Sequence, residues 1–305
     1  MVISVAFCFD DKVFKPSCIA ITSLMDNEPN KDIHHHIYCI SSGLCDEHKK
    51  KIEDLVNSRD RESTVRFLKA PGEFKNAYIH SGFTQDTYTA LLMHRLLPDE
   101  DKVIYIDTDT LIKKSLADLW NIDMEKYKCA GVLGTVNLKF SWDKLMEYPN
   151  AGDFDSVRGK YINDGVLFIN LKNMREWNPD ELFLQMSKKN YRYLEQDIFN
   201  ITCRKEILIL PPKYNVYAYM TWKKYMEMVK EGFLTEEESQ IAYDDPVILH
   251  YAGPKPWNNR GVFRAKEWWD YVEQQPDLNC MFDKKKIPYR KTTGLLGKIN
   301  RHLPF

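Results

Sequence analysis

No run of roughly 18 consecutive apolar residues occurs in the 305-residue chain, so no segment has the length of a bilayer-spanning helix. The seven cysteines (8, 18, 39, 45, 129, 203 and 280) are odd in number and never fall in Cys-x-x-Cys spacing. That excludes a disulfide framework and a zinc knuckle, and it suits a reducing compartment. Met1 to Phe9 lacks the basic segment and small-residue cleavage site of a secretory signal. A cytoplasmic protein is expected. There is also no excess of charge: 43 Lys and Arg face 44 Asp and Glu, for a net −1, which argues against a nucleic-acid partner. With 44% hydrophobic and 29% charged residues, the composition is that of a globular chain able to bury a core, not of a disordered one. The net value hides an asymmetry. The last 22 residues carry Lys284, Lys285, Lys286, Arg290, Lys291, Lys298 and Arg301 and no acid, leaving −8 on residues 1–283 and +7 on the tail.

Periodicity places the elements. Val2 to Phe9 is a nearly continuous apolar run, as in a strand covered on both faces. A helix over Pro16 to Met25, a strand over Ile33 to Ile40, a helix over Asp46 to Asn57 and a strand over Thr64 to Leu68 follow. Thr84 is placed to cap a helix with Tyr88, Leu91, Leu92 and Leu96 on one face, closed by Pro98. Lys102 to Asp107 is a fourth strand ending in acid. This βαβαβ order predicts an α/β, doubly wound sheet with its ligand crevice at the carboxyl ends of the strands. Further strands are expected at Ala130–Leu133, Gly165–Asn170, Ile207–Leu210 and Val247–His250, and helices over 179–190, 195–202, 221–231, 235–242 and 265–274. No repeat or linker divides the chain, so one domain over 1–275 with a basic extension over 276–305 is expected.

Four constellations carry chemistry. Asp107-Thr108-Asp109 puts two carboxylates at a strand end, where they can chelate a hard divalent cation and leave positions open to phosphate oxygens; a plain polar strand exit has the same look. His250-Tyr-Ala-Gly253-Pro-Lys255-Pro-Trp257 follows another apolar strand. Imidazole suits Mn²⁺ far better than Mg²⁺, Gly253 lets backbone approach a phosphate, and Lys255 supplies positive charge; the same turn can serve only as a rigid loop. Asn163-Asp164-Gly165 opens a buried strand with groups that pair with sugar hydroxyls, or that simply make a turn. Glu195-Gln196-Asp197 starts a helix, where acids also satisfy free N–H groups. His34, His35 and His36 lie in a strand and diverge, which argues against a joint metal site. Trp222, Trp268 and Trp269 are read as packing or surface aromatics.

In this order, and together with Asp10-Asp11, these segments resemble glycosyltransferase family 8 from Val2 to about Trp269. The resemblance implies a GT-A type, Rossmann-like, mostly parallel sheet flanked by helices and a retaining transfer from UDP-glucose or UDP-galactose. It also implies Mn²⁺ on Asp107, Asp109 and His250. Ala6, Phe7, Asp10 and Asp11 would line the uridine pocket, Thr108 would join the nucleotide site, and Gly253 and Lys255 would meet the phosphates. Asn163, Asp164, Gly165, Gln196 and Asp197 would surround the donor sugar. The Gln196 amide oxygen would stabilise an oxocarbenium-like state during front-side transfer, with the departing phosphate taking the acceptor's proton. Asp197 is assigned to sugar binding or covalent attack.

Three positions depart from the family pattern. Ala90 stands where an arginine is usual after Thr87-Tyr88, Gly134 and Thr135 stand where an aspartate commonly ends the next strand, and Asp164 replaces a small residue. Two other readings of the chain exist. One is a sugar-nucleotide-binding protein with an impaired site; the other is a haloacid-dehalogenase-type phosphatase using Asp107 as nucleophile, in which the His250 loop would have no role. The tail mixes its basic residues with Ile287, Tyr289, Leu295, Leu296, Ile299, Leu303 and Phe305. It is expected to lie on the anionic inner face of the cell membrane, which suits a cell-surface glycan or a lipid-linked saccharide as acceptor.

Overall fold

A computed structural model describes residues 1–80 and 84–290. The strands are β1 (Val2–Cys8), β2 (His34–Ser41), β3 (Thr64–Lys69), β4 (Lys102–Ile106), β5 (Thr110–Ile112), β6 (Cys129–Leu133), β7 (Ile162–Asn170), β8 (Ile207–Leu210), β9 (Val216–Tyr217) and β10 (Ile248–His250). Seven form the main sheet in the order β3-β2-β1-β4-β7-β6-β8; β5, β10 and β9 form a small second sheet. Helix α1 (Phe14–Asp26) follows β1 and helix α2 (Asp46–Asn57) follows β2. The doubly wound α/β arrangement expected from the βαβαβ pattern is therefore present.

Alternation along β1 sets the layering. Ile3, Val5 and Phe7 join an apolar cluster with α1, while Ala6 joins the opposite cluster with Tyr38, Tyr88 and Tyr105. Both sides of β1 are covered, which is why its sequence is apolar apart from the buried Ser4. The three histidines of β2 diverge for the same reason. His34 meets Asp60 at 2.8 Å, His36 meets Glu100 at 3.1 Å, and His35 is buried.

One strand runs against the rest in a way that matters for the site. β7 is antiparallel to both neighbours, pairing Ile106 of β4 with Val166 and Gly131 of β6 with Leu167. The start of β7, rather than its end, therefore lies beside the carboxyl end of β4. The second sheet completes the placement. β10 runs antiparallel to β5 with His250 opposite Thr110, and parallel to β9 with His250 opposite Tyr217. At three and two residues, β5 and β9 are too short to show a period in sequence.

The segment after Thr84 differs from expectation. Gln85–Leu92 is a 3₁₀ helix that becomes α-helical only over Met93–Leu96, and Thr84 makes no side-chain cap. Tertiary bonds hold this tighter winding, with Thr87 donating to Glu195 and the Tyr88 hydroxyl to the Tyr78 carbonyl. Trp268 and Trp269 are core residues and Trp222 is at the surface. All seven cysteines are free thiols, and no helix among the described residues is long and apolar enough to cross a membrane.

The chain beyond residue 275 is packed against the rest as far as residue 290. Leu278 is fully buried, Phe282 sits edge-on to Trp268 at 5.1 Å, and Lys15 donates to the Met281 carbonyl. Arg260 donates to the Pro288 and Ile287 carbonyls, while Asn259 accepts from the Arg290 N–H. Lys284 pairs with Glu273 and Lys286 with Asp283. Lys291, Lys298, Arg301 and the apolar residues from Leu295 onward lie outside the described residues.

Candidate active site

Four chain segments meet at the carboxyl end of β4. Asp107 leaves the strand with its N–H bonded to the Gly165 carbonyl at 2.8 Å, and the Tyr251 N–H bonds the Asp109 carbonyl at 2.8 Å. These backbone bonds bring the β7 start and the β10 end to the two carboxylates. His250 Nε2 lies 3.1 Å from Asp109 Oδ1 and 3.7 Å from Asp107 Oδ2. One ligand atom from each of the three lies within 4.8 Å of the others. Thr108 is half-buried between the carboxylates, and Thr110 Oγ1 donates to the Asp107 carbonyl at 2.8 Å, closing the turn.

The tautomer of His250 follows from its neighbours. Its Nδ1 is 2.9 Å from Asn215 Oδ1, and Asn215 Nδ2 donates to Asn163 Oδ1 at 2.8 Å. Since the Asn215 oxygen can only accept, Nδ1 carries the proton and Nε2 keeps a lone pair aimed at the carboxylates. Gly165 has no room for a side chain at this point. A Cβ there would lie 2.2 Å from His250 Cε1 and 2.8 Å from Asp107 Oδ2. Asp109 Oδ1 is buried without a hydrogen-bond donor of its own. An open oxygen, a second carboxylate and an imidazole with a free Nε2 form a donor set that fits a divalent cation of the Mn²⁺ kind.

Charge separates the two carboxylates. Burial and the neighbouring Asp109 raise the Asp107 carboxyl. Burial also opposes ionisation of Asp109, but its charged surroundings, the Lys255 ammonium foremost, outweigh it and hold that group well below the usual carboxylate range. The Lys255 ammonium pairs with Asp109 and also donates to the Tyr251 carbonyl at 3.0 Å. Gly253 sits at φ 102°, a left-handed conformation that glycine adopts without strain, and this turns the loop so that Lys255 reaches back.

A chain of side-chain hydrogen bonds leads from His250 to the second half of the site. From Asn163, the amide nitrogen donates to Gln196 Oε1 at 2.6 Å. Gln196 Nε2 in turn donates to the Tyr161 hydroxyl at 2.8 Å, and that hydroxyl donates to Asp197. Gln196 Oε1 also accepts the Asp164 N–H at 3.3 Å. Asp197 is fully buried, and its other oxygen accepts the Tyr193 N–H at 2.8 Å. Burial raises its carboxyl to about 7. Asp197 thus lies behind Tyr161 with both oxygens engaged.

The remaining candidates are distributed as follows. Ala6 and Phe7 are fully buried on opposite faces of β1, leaving only their backbone for contact with a nucleotide. Asp10 accepts the Lys12 N–H at 2.9 Å, whereas Asp11 turns away to the start of α2. Asp164 is half-buried, and burial, Glu195 and Asp107 keep its carboxyl well above the ordinary range. Arg95 does not fill the place of the missing arginine, because it pairs with Asp180 and Glu73.

Sequence reasoning gave Tyr105 and Asn215 no role of their own and read Glu195 only as a helix-start acid. Tyr105, which donates to Asp107 Oδ1 at 2.7 Å, could have been found from its two-residue spacing along the same face of β4. Glu195 bonds Thr87 through one oxygen and buries the other unpartnered; burial raises its carboxyl to about 8. Asn215 gave no signal, since a lone Asn between Tyr214 and Val216 looks like a turn.

Solved structures of known proteins share the architecture. The structure of the galactosyltransferase LgtC, solved with donor and acceptor sugar analogues, superposes with a TM-score of 0.70 at 22% identity over 90% of this chain and 96% of that one. A fold of this kind, with its carboxylate pair at the β4 exit, defines the GT-A class of glycosyltransferases. The chain belongs to glycosyl transferase family 8, whose model matches residues 4–261. General stress protein A of Bacillus subtilis is 26% identical over 281 residues, 85% of this chain and 88% of that one. A lipopolysaccharide 1,2-glucosyltransferase of Escherichia coli is 24% identical over 300 residues, covering 94% and 81%. The protein is a glycosyltransferase, which removes the phosphatase reading of Asp107.

Proposed function

We propose that the protein is a retaining hexosyltransferase that moves glucose or galactose from a UDP-sugar to a cell-surface glycan or lipid-linked saccharide on the cytoplasmic side of the membrane. The convergence of Asp107, Asp109 and His250 carries this reading, since it builds a cation site at the strand ends within one hydrogen-bonded system that includes Gln196. The lipopolysaccharide glucosyltransferase that aligns with 94% of the chain supports the acceptor class.

When bound, a divalent cation, Mn²⁺ in preference to Mg²⁺, supplies positive charge to a leaving diphosphate. Asp107, Asp109 and His250 would hold it. Lys255, on a loop shaped by Gly253, places a second positive charge beside the same point. Asn163 and Asp164 anchor the Gln196 amide oxygen, so the amide plane is fixed before any donor arrives. With both its lone-pair directions used in this way, Gln196 Oε1 is a poor nucleophile. That favours front-side transfer, in which the acceptor oxygen attacks from the side the phosphate leaves and its proton passes to that phosphate. Asp197 acts through Tyr161 as a positioning residue.

Hydrolysis of a panel of nucleotide sugars, measured with Mn²⁺ and with EDTA, tests metal, nucleotide and sugar together. UDP-glucose or UDP-galactose is expected to be cleaved only with metal, and Asp109→Ala to abolish it. Metal-dependent turnover retained in Asp109→Ala would overturn the assignment. Donor binding without any hydrolysis would point instead to an impaired site, for which Ala90 and Gly134 are the observations in favour.

A further inference from the structure

One residue beyond Asp10, a second set of ligand atoms converges that the transferase chemistry does not use. Asp11 lies in the turn after β1, while Cys45 and His48 flank the first turn of α2. One ligand atom from each lies within 4.8 Å of the others. The Asp11 carboxylate accepts the Cys45 N–H at 3.1 Å and bonds His48 Nδ1 at 2.6 Å. The His48 ring is stacked on Phe14 at 3.6 Å between centroids and only 7° between planes, which fixes its orientation.

We propose that Asp11, Cys45 and His48 form a second metal site, selective for zinc-class cations and separate from the site at Asp107, Asp109 and His250. The donor sets differ in kind. A thiolate, an imidazole and a carboxylate match tetrahedral Zn²⁺ or Co²⁺, whereas two carboxylates and an imidazole suit Mn²⁺. Three protein ligands leave a fourth position for water or a solute, and the exposure of Asp11 and Cys45 leaves that position open to solvent. Tetrahedral bonds of about 2.0–2.3 Å need ligand atoms about 3.3–3.8 Å apart. Asp11 and His48, now 2.6 Å apart, must open by somewhat under an ångström, and the Cys45 thiol, within 4.8 Å of both, must close by at most about an ångström. On binding, the cation takes the place of the hydrogen bond between Asp11 and His48, and the Cys45 thiol gives up its proton to solvent. The cation would tie the exit of β1, which carries Asp10, to the start of α2.

Co²⁺ titration of the full chain, in a reductant that does not bind metal, tests the proposal through the thiolate-to-cobalt charge-transfer band. The Asp107 site contains no sulfur and cannot produce that band. One equivalent of Co²⁺ is expected to generate it and Zn²⁺ to remove it. The band is expected to be lost in Cys45→Ser and weakened in His48→Ala and Asp11→Ala. It is expected to persist in Asp109→Ala and in Cys280→Ser, which removes the other exposed thiol. Absence of the band at stoichiometric Co²⁺, its survival in Cys45→Ser, or full-strength binding in His48→Ala would each overturn the proposal.

Discussion

Asn215 offers the sharpest test of how the proposed cation site is held. Replacing it with alanine leaves the His250 Nδ1–H without an acceptor in a place where both residues are only 2% exposed. An orphaned buried donor costs about 1–3 kcal/mol. The ring can escape that cost by moving its proton to Nε2 or by rotating, and either change removes the lone pair directed at Asp107 and Asp109. Loss of the group that orients a metal-binding histidine commonly weakens affinity about 10–100-fold, equivalent to about 1.4–2.7 kcal/mol, which agrees with the hydrogen-bond figure. Asn215→Ala is therefore expected to bind Mn²⁺ at least tenfold more weakly by calorimetric titration. Asn215→Asp separates orientation from packing. It keeps an acceptor for Nδ1 but faces Asn163 Oδ1 with an oxygen in place of the 2.8 Å donor. Asn163 must then turn its amide, and the mismatch passes to Gln196. That variant should hold Mn²⁺ about as tightly as the parent yet turn over more slowly. Mn²⁺ affinity within twofold of the parent in Asn215→Ala would refute the argument, and equal weakening in both variants would assign the effect to packing.

Three further outcomes follow from the same geometry. Gly165→Ala should weaken Mn²⁺ binding and cost about 1–3 kcal/mol of stability, because its Cβ would fall 2.2 Å from His250 Cε1; an unchanged affinity and melting temperature would show that the cradle has slack. Asp197, raised to about 7 from the ordinary 3.8, holds its proton in the folded chain after the unfolded chain has lost it, so stability falls as pH rises between those values. Asp197→Asn should flatten that fall in a pH series of denaturant midpoints, and a slope equal to the parent's would remove Asp197 as its source. For the membrane, a chain ending at residue 290 keeps the contacts of Phe282, Ile287 and Pro288 with the body and isolates the last fifteen residues; it should sediment less than full length with anionic vesicles, and equal sedimentation would discount those residues as an anchor.

Sequence and structure agree best where one side chain announces its surroundings. The apolar run of β1 and the acids at the β4 exit could be read directly, because strand burial and strand ends leave local marks. His250 and Lys255 were legible as a loop after an apolar strand, and the family resemblance tied that loop to Asp109; the physical link, the pairing of β10 with three-residue β5, left no mark in the sequence. Glu195 and Asp197 looked like helix-start acids. One is instead held by Thr87 and the other by Tyr161, contacts spanning 108 and 36 residues that no local pattern encodes. Asn215 is the extreme case, since its role exists only because two-residue β9 lies beside β10.

The hydrogen-bonded chain from His250 to Asp197 runs in one direction, each group donating to the next. Amide groups at Asn215, Asn163 and Gln196 can each be turned over, but turning one alone sets like against like at each amide it faces, and turning Gln196 also draws the Tyr161 proton away from Asp197. These three residues therefore share a single choice rather than three independent ones. Substitutions along the chain should behave as alterations of one object: their effects on cation affinity at one end and turnover at the other will not add, and a second change can repair the first by restoring a consistent sense of donation.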